Sequence, residues 1–306
     1  MNKAQGGLAR RFDIRGDHID WQIALAHYDA ERLEDAYETA LDIGMGAIGH
    51  YLTWFRTIEA EYLTSKQSST KQIQSFLELE CVPDEVNDQE HWVATVALEA
   101  LREVGGRFHY GHDSKTRITV LADETDAPWL YGRYGYCIAK AGFYKICVPR
   151  HLIGNRSEML KTLKHEYAHV VVGTLSHNRA PRWIEEAVAM LAEGGVDKER
   201  ARPFSTGRIE WRSPLELESD LRDLDDTNEK YEAYLQSGLI GMFLSRHFGD
   251  ESIAKMLRGF SAPSYWRELW SRLLGRYSDQ SAVERTYKMS LEELFRRARE
   301  WVRAAR

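Results

Sequence analysis

The sequence is short of everything that staples a small secreted domain or anchors a chain in lipid. Of 306 residues only three are cysteine, Cys81, Cys137 and Cys147. The number is odd and the spacing fits no metal-ligand pattern, which excludes a disulfide framework and a cysteine-built zinc site. Cys137 and Cys147 are expected to face each other across a hairpin, yet in a reducing compartment they stay thiols. No apolar run nears the roughly 20 residues that span a bilayer; the longest, at 238–244 and 170–172, fall far short. Residues 1–7 lack the apolar core of a secretory signal. These absences make the cytoplasm the expected location, with no membrane partner. Basic charge is also in deficit, with 41 Lys and Arg against 47 Asp and Glu and a net charge of −6. Binding to a phosphate backbone needs a net basic face, so nucleic acid is excluded as a partner. The run Arg296-Arg297-Ala298-Arg299 has glutamates on either side and reads as the solvated face of a helix. Internal repeats and long low-complexity tracts are missing too.

What is present describes a folded chain. Hydrophobic residues make up 43% and charged residues 29%, enough for a sizeable core. The length fits one large domain or two ordinary ones. Residues 9–24 place Phe12, Ile14, Ile19, Trp21 and Ile23 at period two around Arg15-Gly16-Asp17, which predicts a β-hairpin with a glycine turn. Residues 29–64 read as helical with a break at Gly44 and Gly46, and another short helix is expected near 71–80. Trp92, Val96, Leu98, Leu101 and Val104 mark an amphipathic helix over 89–104, ended by Gly105-Gly106. Strands are expected at 117–122, 134–141 and 143–149, in one sheet with those at the N-terminus. A central helix over 156–172 is capped by Asn155 and ended by Gly173. Pro181 opens a helix over 182–193, which Gly194-Gly195 ends. Residues 196–228 read as a charged connection with one short helix near 215–224. Helices follow at about 229–247, 250–260, 264–276, 281–287 and 291–304.

The central helix carries His165-Glu166-Tyr167-Ala168-His169. Residues four apart share a helix face, so His165 and His169 can hold one ion through their imidazole nitrogens. Glu166 follows the first histidine and can reach a water on that ion without being a ligand. Leu160, Leu163, Tyr167, Val170 and Val171 form a separate apolar stripe that buries the helix. The bare pattern arises by chance in roughly 1 in 30 chains of this composition, so the next element decides its weight. A catalytic zinc needs a third protein ligand and an open position. The segment Pro181-Arg182-Trp183-Ile184-Glu185-Glu186-Ala187 offers Glu185 and Glu186, equivalent on spacing alone, and small residues at Ala187 and Ala189 that permit close helix packing. His177 on the loop is a rival ligand.

These two segments resemble the gluzincin metallopeptidases, in particular the peptidase-MA-like domains. The family has a His-Glu-x-x-His helix followed by a Trp-Leu-x-Glu-Gly ligand helix. The resemblance covers residues 115–305, is strongest over 160–190, and is absent from residues 1–88. It implies zinc as the single cofactor, held by His165, His169 and Glu186, with Glu166 as the general base. Ala187 stands where the family has glycine. Tyr234-Leu235-Gln236-Ser237-Gly238 is similar to the family's Tyr-x-Lys-Gly segment, which implies Tyr234 as the oxyanion donor; Tyr231 is the local rival. The implied activity is hydrolysis of peptide bonds in a peptide or protein substrate, which pairs along a sheet edge. The Gly-x-Met-Glu-Asn signature of exopeptidases is missing, so an endopeptidase is expected.

The expected fold is α+β and mostly helical, with a small mixed or antiparallel sheet packed on the zinc-site helix and a helical C-terminal subdomain. The expected segments are a largely helical region 1–88, a catalytic zinc-binding core 89–195, and a helical subdomain 196–306 that closes the cleft. Residues 1–88 are expected to serve as a docking or self-inhibitory region. The alternatives are a zinc hydrolase of another amide or ester, and a non-catalytic metal-containing interaction protein.

Overall fold

Residues 14–29 carry two apolar patterns at once. Ile19, Trp21 and Ile23 alternate, while Trp21, Ala24 and Tyr28 recur at helical spacing. In the structure, a computed structural model that describes residues 14–43, 52–83, 88–122, 135–223, 228–260 and 278–304, the helical pattern wins. Helix α1 (Ile14–Asp29) buries Trp21, Ala24 and Tyr28 and leaves Ile19 59% and Ile23 45% exposed. The expected hairpin is therefore replaced by helix from residue 14, and residues 9–13 lie outside the described residues. A window closed at residue 24 cuts off Leu25 and Tyr28, which complete the helical stripe. Helices α2 (Leu33–Ile43) and α3 (Leu52–Ser65) follow. The expected glycine break at 44 and 46 lies outside the described residues. Ala36, Ala40, Phe55 and Ile58 close a core around Trp21 and Tyr28.

The helix expected near 71–80 is instead a pair of strands, β1 (Ser69–Gln74) and β2 (Leu77–Cys81). Leucine and glutamate favour helix in isolation, but Leu77, Leu79 and Cys81 alternate inward and tertiary pairing overrides the preference. Helix α4 spans Gln89–Arg107 and runs through the glycine pair expected to end it. Strands β3 (Thr116–Leu121), β4 (Tyr136–Lys140) and β5 (Phe143–Pro149) complete the sheet. Its order is β1-β2-β3-β5-β4. The two outer pairs are antiparallel and the two inner pairs parallel. The fold is thus α+β, mostly helical, with one small mixed sheet.

Contacts along the chain divide it into two compact units. The first comprises residues 1–94 and 115–154, the second 95–114 and 155–306. The expected segments 1–88, 89–195 and 196–306 cut across them. In the first unit the register gives the sheet two different faces. Leu79, Ile118 and Ile146 line up on one, all buried. Glu80, Thr119, Cys147 and Tyr136 line up on the other, beside Arg117 and Lys145. Cys147 lies opposite Tyr136, while Cys137 lies opposite Ile146. Neighbouring residues on a strand point to opposite faces, so the two cysteines do not face each other as expected. None of the three cysteines is in a disulfide.

The polar face holds a buried ion cluster. Lys145 Nζ lies 2.7 Å from Glu61 Oε2 and 3.4 Å from Glu31 Oε2. The phenols of Tyr28 and Tyr136 both donate to Glu61 Oε1. Lys140 Nζ donates to the Tyr28 carbonyl at 2.6 Å and lies 3.4 Å from Glu31 Oε1. Burial works to raise the Glu61 carboxyl, but the charges of Lys145 and Lys140 hold it below the usual carboxylate range.

The second unit is helical. Helix α5 (Arg156–Ser176) begins where Asn155 Oδ1 accepts from the Glu158 amide. It runs past Gly173 and ends at His177 and Asn178, both left-handed, with the Asn178 amide donating to the Gly173 carbonyl at 2.8 Å. Gly173 lies within the helix because two later residues supply the left-handed stop. Helix α6 (Arg182–Glu193) ends at Gly194, as its sequence predicts. The expected connection at 196–228 contains two helices, α7 (Lys198–Thr206) and α8 (Pro214–Asp223). Asp197 caps the first. Ser213 and Glu216 cap the second reciprocally, with the Ser213 amide donating to Glu216 and the Glu216 amide to Ser213. Helices α9 (Asn228–Phe248), α10 (Asp250–Phe260), α11 (Ser278–Tyr287) and α12 (Leu291–Ala304) complete the unit. The helix expected at 264–276 lies outside the described residues. No helix among the described residues is long and apolar enough to cross a membrane.

Candidate metal centre

Helix α5 sorts its residues largely as the sequence predicts, with Leu160 of the expected stripe only half-buried. Leu163, Tyr167, Val170 and Val171 are buried, joined by Met159, while the imidazoles of His165 and His169 are half-buried on another face. Their rings meet edge to face with centroids 5.2 Å apart. Glu186 enters from α6 and is 2% exposed. Its Oε2 lies 3.7 Å from His165 Nε2 and 3.8 Å from His169 Nε2. All three donor atoms fall within 4.8 Å of one another. Ligands around a tetrahedral zinc, at 2.0–2.1 Å each, stand about 3.3–3.5 Å apart, so the two carboxylate–imidazole distances exceed that spacing by a few tenths of an ångström. Two imidazole nitrogens and a carboxylate oxygen are a donor set that zinc takes.

The geometry separates residues that spacing could not. Glu185 Oε2 accepts from Arg182 Nη1 at 2.7 Å and stands outside the donor group. Burial pushes its carboxyl up, with Arg182 opposing. His177 caps the end of α5 and is not in the group. Glu166 is buried, and its charge acts on the His165 ring. Tyr234 on α9 is 6% exposed and interacts electrostatically with Arg182, which lies beside Glu186 at 3.7 Å. Tyr231 is 52% exposed and bonds Arg200 instead. Thus His165, His169 and Glu186 converge, Glu166 is buried beside His165 on α5 and Tyr234 is buried on α9, and Glu185, His177 and Tyr231 are engaged elsewhere.

Two supports escaped the sequence reading. Glu193 Oε2 bonds His165 Nδ1 at 3.0 Å. It follows Glu186 by seven residues, two turns along the same face of α6, and that spacing was the available signal. His165 is held at a pKa of about 9: burial opposes its charge, but the bond to Glu193 and the charges of Glu166, Glu186 and Glu193 outweigh it. The second support is packing. A Cβ on Gly241 of α9 would stand 2.4 Å from the Ala187 carbonyl oxygen, so only glycine permits this approach. The α6 backbone is therefore seated by α9 one residue from Glu186. At its start, the Trp183 amide of α6 donates to Glu218 of α8 at 3.2 Å, which supplies the side-chain cap that Pro181 lacks.

No family model, curated protein or solved structure matches the chain.

Proposed function

We propose that this chain is a zinc-dependent metallopeptidase, acting as an endopeptidase on peptide or protein substrates in the cytoplasm. What carries the reading is the convergence of His165 Nε2, His169 Nε2 and Glu186 Oε2 from two helices, with Glu166 next in sequence to a ligand. Three donors leave a position open, the pattern of a catalytic rather than a structural site. A structural site has no use for a buried carboxylate at Glu166. The resemblance to gluzincins rests on the same residues.

His165, His169 and Glu186 would hold the ion. Zinc bound there supplies Lewis-acid activation of water near neutral pH. Glu166 takes the proton of the attacking water and delivers it to the leaving amine. Tyr234 donates a hydrogen bond to the oxygen on which negative charge develops, an interaction worth most in the transition state. Arg182 bonds Glu185 and lies against the outer oxygen of Glu186, orienting the ligand carboxylate.

Metal analysis of purified protein and of three variants tests the proposal. One zinc per chain is expected in the wild type, in Glu166→Gln and in Glu185→Ala, and none in Glu186→Ala. Glu166→Gln is expected to lose cleavage of a peptide library by about 10²–10⁴-fold. Protein without stoichiometric zinc sinks the metal reading. Zinc with undiminished cleavage by Glu166→Gln sinks the catalytic one.

A further inference from the structure

The imidazole of His165 has two nitrogens, and the structure gives each a different partner. Nε2 faces Glu186 Oε2 across 3.7 Å. Nδ1 meets Glu193 Oε2 at 3.0 Å, a hydrogen-bond distance. The two nitrogens lie on opposite sides of the ring, so a carboxylate bonded to Nδ1 is not itself a ligand at Nε2; Glu193 is indeed outside the donor group. An ionised carboxylate only accepts. A metal at Nε2 would leave the ring a single proton, and the Glu193 carboxylate at 3.0 Å holds that proton on Nδ1 while Nε2 faces Glu186.

We propose that Glu193 is a positioning residue that fixes the tautomer and orientation of His165 for metal binding through Nε2. This rests on the metal reading above. Outer carboxylates of this type raise the basicity of a ligating histidine and hold its ring in place. Here the brace and a ligand lie on one helix. Glu186 and Glu193 are two turns apart on α6, and the bonded histidine is on α5. Helix α6 therefore grips the group at two points: Glu186 is a ligand, and Glu193 sets the ring that supplies a second one. His165 and Glu193 are both partly screened from solvent, with side chains 16% and 24% exposed, so water competes weakly for the bond. The neighbouring Gly194 ends α6 immediately after Glu193, so the brace occupies the last position this helix can offer.

The test uses the full-length protein, with zinc affinity measured by competition against a chromophoric chelator. Glu193→Ala is expected to weaken zinc binding about 10–100-fold. Glu193→Gln, whose amide oxygen still accepts from Nδ1, is expected to recover most of that loss. Two further measurements distinguish a brace from a general support of the fold. The metal-free unfolding midpoint is expected to be the same in Glu193→Gln and wild type. Nitrogen NMR of the zinc-loaded wild type is expected to show the His165 ring protonated at Nδ1, a signature that bulk stability does not move. Wild-type protein that binds one zinc while both variants bind it as tightly overturns the brace alone, as does an Nδ1 without its proton. Wild-type protein that binds no zinc overturns the metal reading and the brace with it.

Discussion

The two units bury charge in opposite ways. In the first, each buried cation meets an anion from the same chain: Lys145 lies against Glu61 and Glu31, and Lys140 against Glu31. In the second, two histidines and Glu186 converge, with Glu166 and Glu193 acting on the same ring. Arg182 is the cation against this group, and it is shared with Glu185. A buried charge is expensive unless compensated. The first cluster is complete within the chain and needs no ligand to explain it. The second brings three donor atoms within 4.8 Å of one another, the arrangement on which the proposed metal site rests. Burial of charge by itself marks neither structure nor site; the direction in which the lone pairs point separates them.

The largest expected effect falls on the first cluster. Lys145→Met leaves Glu61 buried without its nearest cation and is expected to cost about 3–5 kcal/mol in chemical denaturation. Lys145→Met combined with Glu61→Leu is expected to recover most of it. Zinc uptake is expected to survive both; its loss would break the contrast between the units. The same cluster sets a pH dependence. Glu61 has a depressed carboxyl pKa in the folded chain, so its contribution is present above the unfolded value and lost as pH falls through the folded one. Acid is thus expected to weaken the first unit below the ordinary carboxylate range, and Glu61→Gln to flatten that dependence.

Next in size is Gly241→Ala, which drives a methyl against the Ala187 carbonyl. Overpacking of this kind is expected to cost about 1–3 kcal/mol. Because the displaced backbone adjoins Glu186, zinc affinity is expected to fall as well, measured by chelator competition. Unchanged affinity would show that α6 is seated by something other than α9. The smallest effect is at the α8 cap. Ser213→Ala removes one half of a reciprocal pair and is expected to cost about 1 kcal/mol, read from the unfolding midpoint, with zinc stoichiometry kept at one.

The readable parts of the fold were those where local pattern and tertiary demand agree. The boundaries of α6 follow from proline at its start and glycine after its end. The edges of β3, β4 and β5 follow from short apolar runs broken by Gly142 and Pro149. Where two periods overlapped, as in α1, the shorter window selected the wrong one. Residues 69–81 misled because leucine and glutamate are helix formers used here in a paired strand. Helix α8 was only partly visible, although Ser213-Pro214-Leu215-Glu216 spells a cap; the charged residues around it hid its apolar positions, Leu217 and Leu221. At the site, spacing on a single helix brings His165 and His169 to one face, but no local rule ranks Glu185 against Glu186. That choice depends on how α6 is rotated against α5. Glu193 went unread for the same reason, since its meaning lies in a histidine 28 residues earlier.

The β4–β5 register gives the molecule an internal timer. Cys81 and Cys147 are buried, whereas Cys137, on the outer strand β4 and on the opposite face from its near neighbour Cys147, is partly open to solvent. A thiol reagent in excess would therefore tag one position promptly and the other two only when the first unit opens. The lag between the first and the later tags measures how often that opening occurs. Because the tagged atoms belong to the first unit and the donor group to the second, the same reading with and without zinc reports whether a ligand held in one unit changes the opening rate of the other.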